Sequence, residues 1–307
     1  MRRAIVLLGL TTLVLAGWGG GAETSPVVVS GSAQRQAAAA YWTAERMKNA
    51  QPVPLLVKHG RPPNGGRSAQ ATHYPFPYAR YRWSGPTTDL PARTWGKVFF
   101  AAPDGDYVCS GTAVSSKNGS VVWTAGHCAA TAGAKSFYRH RWIFVPAYDN
   151  GKAPFGKFVG RHFFTTHAWY AKGDPAFDLA AVVVAPLKGK TLVDTVGGQG
   201  IAFNQTRTQE YVSGGYPADY PFDGQTLYVC DAPLGGNDRT ASPPTIAIGC
   251  DMTGGSSGGG WLANVQNGLG TIVSVNSYGY FSQPDAMYGP YQGNAAERLY
   301  DQASNWK

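Results

Sequence analysis

Charge is thin in this sequence, cysteine is down to four residues, and long apolar runs are almost missing. Acidic and basic side chains make up 14% of the 307 residues, against 43% hydrophobic ones. A chain so poor in charge is neither a disordered, solvating segment nor a coiled coil. Its one sustained apolar run, Ala4 to Ala16, has 13 residues, short of the roughly 20 that a membrane-spanning helix needs. With Arg2 and Arg3 before it and Gly19-Gly20-Gly21-Ala22 after it, the run has the layout of an export signal over residues 1–22. The arginine pair suits a twin-arginine signal as well as a general secretory one. The expectation is a secreted protein with no membrane contact once the signal is gone.

The net charge of +8 points toward nucleic acid until it is divided along the chain. Up to residue 84 there are ten Lys and Arg against Glu23 and Glu45, whereas from residue 85 onward sixteen bases face sixteen acids. A balanced domain lacks the electrostatic footprint of phosphate binding, so no nucleic-acid partner is expected. The four cysteines contain no C-x2-C pair, which argues against a zinc cluster, and no metal is expected. In an exported chain they make two disulfides with three connectivities open, of which sequence neighbours favour Cys109 with Cys128 and Cys230 with Cys250.

Glycine and proline are abundant, at 40 and 21 residues, and mark many turns. Residues 23–84 form a leader too poor in apolar side chains to build a core. It carries one helix candidate over Ala37 to Ala50, then a Pro, Gly and Arg-rich run with Arg80 and Arg82 as candidate cleavage points. A propeptide is the first reading, a flexible linker the second. From about Arg93 the texture changes to short runs rich in Val, Ile, Phe, Tyr and Trp: 96–101, 107–114, 120–124, 142–146, 179–184, 210–213, 226–230, 245–248 and 270–276. This is an all-β pattern, closed by one helix over Asn294 to Ala303.

The histidines end at His167, and that order is informative. Ser257 sits in the glycine-dense stretch Gly254-Gly255-Ser256-Ser257-Gly258-Gly259-Gly260, where backbone N–H groups can approach a ligand closely. Gly255-x-Ser257-x-Gly259 also matches the nucleophile elbow of α/β-hydrolases, but those need a histidine after the serine, and none follows. The order His, Asp, Ser remains. His127 follows the apolar run Val121-Val122-Trp123 beside Cys128, and Asp178 precedes the apolar run Leu179 to Val184, where a buried carboxylate needs a partner such as a histidine N–H. Asp174, ahead of Pro175, is the local rival.

These residues carry a family resemblance. Cys109-Ser110-Gly111-Thr112, Thr124-Ala125-Gly126-His127-Cys128, Phe177-Asp178-Leu179-Ala180, Gly215-Tyr216-Pro217 and Cys250-Asp251-Met252-Thr253-Gly254-Gly255-Ser256-Ser257-Gly258 follow one another in order. Over residues 93–303 the chain resembles a trypsin-like, chymotrypsin-fold serine protease of the secreted bacterial branch that includes the glutamyl endopeptidases. The resemblance implies two packed antiparallel β-barrels with a C-terminal helix, in a protease domain spanning 85–307. It implies Ser257 as nucleophile, His127 as general base and Asp178 as its orienting partner, with the N–H groups of Gly255 and Ser257 as oxyanion hole. Ser256 is the competing nucleophile and lacks the flanking glycines of the motif.

Asp251 stands at the position that recognises Arg or Lys in trypsin, but a Cys-Asp pair also occurs in glutamyl endopeptidases without setting specificity. The histidine by which those enzymes bind the substrate carboxylate has no counterpart in Ser274 to Gly279. Neither preference is assigned; Asn276, Ser277 and Gly279 are expected to line the pocket or the strand that pairs with substrate. The expected function is a secreted, monomeric serine endopeptidase acting on polypeptides without a cofactor. The competing expectation is a catalytically silent binding or scaffold protein on the same fold.

Overall fold

The computed structural model describes residues 31–54, 56–58, 76–138 and 140–307. The expected export signal lies outside them. Two helices open the described chain, α1 (Ser32–Tyr41) and α2 (Ala44–Asn49), where the sequence suggests one over 37–50. The break falls at Trp42 and Thr43, because the Thr43 hydroxyl accepts the Arg46 N–H at 3.2 Å and caps a new helix. Among the described residues the leader also carries three short strands, β1 (Gln51–Pro52), β2 (Leu56–Lys58) and β3 (Ala79–Arg82).

The next strands are β4 (Trp95–Ala102), β5 (Gly105–Val114), β6 (Val121–Thr124), the small hairpin β7 (Ala130–Thr131) and β8 (Ser136–Phe137), then β9 (Ile143–Pro146) and β10 (Phe158–Thr165). After α3 (His167–Lys172) comes β11 (Ala180–Val184). Strands β5, β4, β9, β10, β11 and β6 pair in that order, and β6 returns to β5, closing a six-stranded antiparallel barrel with no free edge among them. Its inside is filled by fully buried Val98, Val122, Phe144 and Val182.

A connector with α4 (Leu192–Val196) and β12 (Gly200–Ile201) leads to the second barrel: β13 (Glu210–Gly215), β14 (Tyr228–Asp238), β15 (Thr245–Gly249), β16 (Gly260–Gln266), β17 (Leu269–Val275), β18 (Tyr278–Tyr280) and β19 (Gln283–Gly289). The sheet runs β12-β17-β16-β13-β14-β15-β19-β18. The chain ends on α5 (Asn294–Ser304), which packs on β10 and β11 of the first barrel through buried Ala296, Leu299 and Ala303. The fold is therefore two packed antiparallel β-barrels with a C-terminal helix. Both favoured disulfides are present, Cys109–Cys128 and Cys230–Cys250, one in each barrel. Among the described residues no helix is long and apolar enough to cross a membrane.

The leader is docked on this body. Strand β1 adds to β5 in parallel, β2 adds to β18 in parallel, and β3 pairs antiparallel with β14. Trp42 is fully buried and its indole N–H donates to the Arg141 carbonyl, while Lys157 Nζ donates to the Trp42 carbonyl at 2.6 Å.

Candidate active site

Strand pairing brings the histidine and the aspartate together. Strands β6 and β11 run antiparallel with Thr124 opposite Ala180, so the end of one lies beside the start of the other. His127 occupies a 3-10 turn just past β6, and Asp178 ends the turn just before β11. Asp178 is fully buried and accepts three hydrogen bonds: from the His127 backbone N–H at 2.8 Å, from the Ser277 hydroxyl at 2.6 Å, and on the same oxygen as the last from His127 Nδ1 at 2.7 Å. Three donors hold the carboxylate in place and offset its burial. With Nδ1 turned to Asp178, Nε2 is the nitrogen left to take a proton. Asp174 does something else: it caps the 175–177 turn, accepting the Ala176 N–H at 3.0 Å.

The serine loop between β15 and β16 is clamped against the first barrel. Ser110 on β5 donates its N–H to the Ser257 carbonyl at 2.7 Å and its hydroxyl to the Gly255 carbonyl at 2.9 Å, and that hydroxyl also accepts the Tyr216 N–H at 2.9 Å. Thr124 closes the network by donating to the Ser110 carbonyl at 2.7 Å. Gly258 has φ +83, and a Cβ there would run into the Thr124 hydroxyl, the Ser110 carbonyl and the Ala125 N–H. The two barrels therefore approach to backbone contact beside the turn that holds His127, a closeness only glycine permits.

The arrangement leaves specific groups unspent. His127 Nε2 and Ser257 Oγ are both buried and both without a hydrogen-bond partner among the described residues. The Gly254 carbonyl is held by the Ala218 N–H at 2.7 Å, which turns the Gly255 N–H the opposite way. Among the described residues no partner meets the Gly255 or Ser257 N–H. Two free donors flanking an unpartnered hydroxyl suit a developing oxyanion. Ser256, the rival nucleophile, donates its hydroxyl to the Thr253 carbonyl at 2.7 Å.

The four expected pocket residues fall in different places. Gly279 lies on β18. Ser277 is spent on Asp178. Asn276 is fully buried with its amide turned into the barrel: its oxygen accepts from Ser213 at 2.9 Å and Trp261 Nε1 at 2.6 Å, and its nitrogen donates to the Ser256 carbonyl at 3.1 Å. Asp251 faces Arg80 of β3, Nε to Oδ1 at 3.1 Å. Potential ligand atoms of Cys109, His127 and Cys128 lie within 4.8 Å of one another, but both sulfurs belong to one disulfide and offer no thiolate. The clamp residue Ser110 was missed as a functional residue by sequence reasoning; its one signal is its place in Cys109-Ser110-Gly111-Thr112.

Neither a protein-family model nor a curated protein matches this sequence. Solved structures do. The protease Anisep from Arthrobacter nicotinovorans is 38% identical at a TM-score of 0.68, the match covering 74% of this chain and 100% of that one. A thermostable serine protease, AL20, from an extremophilic microorganism is 42% identical at a TM-score of 0.66, covering 70% of this chain and 98% of that one. A Glu endopeptidase shares the fold at 18% identity and a TM-score of 0.58, covering 74% of this chain and 97% of that one.

Proposed function

This chain belongs to the chymotrypsin-fold serine proteases and is a peptide hydrolase, and from that premise we propose that it is a secreted endopeptidase working through Ser257, His127 and Asp178. Ser257 Oγ attacks the scissile carbonyl carbon while His127 Nε2 takes its proton, and the tetrahedral oxyanion settles on the N–H groups of Gly255 and Ser257. His127 then gives the proton to the leaving amine, the acyl-enzyme forms on Ser257, and water enters by the same steps in reverse. Asp178 keeps the Nδ1 proton in place and stabilises the imidazolium. Each oxyanion donor is worth roughly 3 to 4 kcal/mol of barrier.

The observation that carries this reading is the set of unspent groups. Nε2, Oγ and two backbone N–H groups lie together without a hydrogen-bond partner among the described residues, where buried polar groups are ordinarily satisfied. Two disulfides fit an oxidising compartment and thus export. The Anisep match leaves about a quarter of this chain uncovered, the share that a signal and propeptide would occupy. The propeptide boundary is best set ahead of β3, because Arg80 and Arg82 are hydrogen-bonded to β14.

Fluorophosphonate labelling of the processed protein with mass-spectrometric mapping tests the reading. The expected adduct is on Ser257 and vanishes in His127→Ala. Folded, processed protein that takes no adduct would favour the silent binding protein instead.

A further inference from the structure

We propose that Lys97 is a positioning residue for the hydrolysis: from the first barrel it holds the far end of the 216–224 loop, and through that loop it fixes the oxyanion donor Gly255. The proposal rests on the serine-protease reading above and adds a residue outside the triad on which the oxyanion hole depends. Lys97 stands opposite Ser110 in the β4–β5 pairing, so the two side chains leave the sheet on one face. Its neighbour Val98 points into the first barrel, which turns Lys97 outward, toward the second. There the pair takes hold of the loop at both ends. Ser110 Oγ accepts the Tyr216 N–H at 2.9 Å where the loop begins, and Lys97 Nζ donates to the Gly224 carbonyl at 2.8 Å where it ends. Between these points the loop braces the stretch ahead of the nucleophile: the Ala218 N–H donates to the Gly254 carbonyl at 2.7 Å, and the Thr253 hydroxyl donates to the Asp219 carbonyl at 2.9 Å. Gly224 has φ +72, and a Cβ there would stand 2.7 Å from the Ala218 Cβ and 3.2 Å from Lys97 Nζ. A Cβ on Gly255 would stand 2.9 Å from the same Ala218 Cβ. Lys97, Gly224, Ala218 and Gly255 thus form one line of contact from the first barrel to the oxyanion donor.

Packing alone does not call for an amine at this position. Lys97 is 1% exposed, and its nitrogen lies 4.8 Å from the centre of the Tyr148 ring and 5.3 Å from that of Phe99. Burial pulls its pKa down to about 7, with Asp223 opposing in part, so the fold bears a desolvation cost that a methionine of similar length would not. What the nitrogen supplies and methionine cannot is an N–H for Gly224, which it carries charged or neutral. Among the described residues no other group donates to that carbonyl. Gln225, the next residue, is tied separately, by the Tyr148 hydroxyl at 2.7 Å and the Asn150 N–H at 2.9 Å. Losing Lys97 therefore frees one peptide of the loop and leaves its flank in place. An oxyanion donor acts on charge that develops only in the transition state, and its value falls steeply with a small displacement. The signature of this role is a fall in kcat without a matching change in KM.

The test compares wild type, Lys97→Met, Gly224→Ala and the double variant, each expressed as the full chain and assayed after the same processing. Steady-state cleavage of a peptide substrate gives kcat and KM, and inhibition by a peptidyl boronic acid reads the oxyanion hole directly. Ser257 Oγ adds to the boron, its proton passes to His127, and a boron-bound oxygen takes the place of the oxyanion. Lys97→Met removes the donor, and Gly224→Ala pushes the same contact apart with the lysine present. Each is expected to lower kcat about 10- to 100-fold with KM within about twofold of wild type, and to weaken boronate binding by the same factor. The double variant is expected to be no worse than the poorer single one, because both act on one contact; losses that add would overturn that shared route. A folded Lys97→Met with wild-type kcat overturns the proposal and leaves the triad standing. So does a loss carried by KM, or a boronate affinity that holds while kcat falls. Wild type that neither cleaves peptide nor binds the boronate overturns the triad reading, and this proposal with it. Should Lys97→Met fail to fold, Gly224→Ala decides by the same measures.

Discussion

Asp178→Asn isolates what the buried carboxylate does for His127. The two side chains have the same shape, so the pocket keeps its packing, but asparagine brings one oxygen and one amide nitrogen where the carboxylate had two oxygens. One carboxylate oxygen accepts the His127 backbone N–H at 2.8 Å, and the other accepts His127 Nδ1 at 2.7 Å and the Ser277 hydroxyl at 2.6 Å. An amide group on the first side would oppose the fixed backbone N–H, donor against donor. It therefore goes to the second side, where the Ser277 hydroxyl can rotate and Nδ1 can give up its proton and accept. The proton then sits on Nε2, which can no longer receive one from Ser257. The expected cost is about 10⁴-fold in kcat, or about 5.5 kcal/mol of transition-state stabilisation. Single-turnover cleavage of a peptide substrate by the processed protein measures it, with circular dichroism as the check on folding. A folded variant within tenfold of wild type would refute the claim that Asp178 sets the tautomer of His127.

Replacing Cys109 and Cys128 together by serine opens a loop with a sequence separation of 19; chain entropy sets the expected loss at about 3 kcal/mol, read from urea unfolding, and an unchanged midpoint would refute it. Lys97 is buried, donates to the Gly224 carbonyl at 2.8 Å, and is pulled down to about 7 by desolvation, which Asp223 partly opposes. The unfolded chain keeps that proton up to the ordinary lysine value of 10.5. The unfolded state therefore binds more protons above pH 7, and stability contributed by this site should rise with pH from about 7 toward 10. Urea midpoints measured from pH 6.5 to 9.5 should show the rise in wild type and a flatter profile in Lys97→Met; parallel profiles would contradict the assignment. Gly255→Ala places a Cβ at φ +91 against the Tyr216 carbonyl, 2.8 Å away, so the loop must shift and the oxyanion donor with it. Activity should fall about 10² to 10³-fold, with loss in kcat and little change in KM on steady-state assay.

The residues proposed for catalysis stand out in the sequence because His127 and Asp178 each abut an apolar run, and buried strands fix what stands at their ends. Strands β4, β5, β6, β9, β11 and β15 were legible for the same reason, as short blocks of β-branched and aromatic residues. Strand β19 was not: Gln283-Pro284-Asp285 reads as a turn, and only its pairing with β15 and β18 makes it a strand. Strand β10 was missed because Gly160, Arg161 and His162 interrupt its apolar pattern where it bulges against β11. The clamp by Ser110 and the leader strands depend on contacts between distant parts of the chain, and local composition carries no trace of them. Two-residue and three-residue strands such as β1 and β2 have no periodicity to read.

Strand β3 has a consequence for the life of the protein in solution. It lies beside β14 with Arg82 opposite Tyr228 and Ala79 opposite Asp231, and so covers one edge of the second barrel. A cut after Arg82 would strip that cover and leave a row of bare N–H and C=O groups, a template on which another molecule can add a strand. Protein trimmed that far should self-associate as its concentration rises, and protein cut ahead of Ala79 should stay dispersed. The position of any cut in the leader would thus decide whether the trimmed protein stays dispersed.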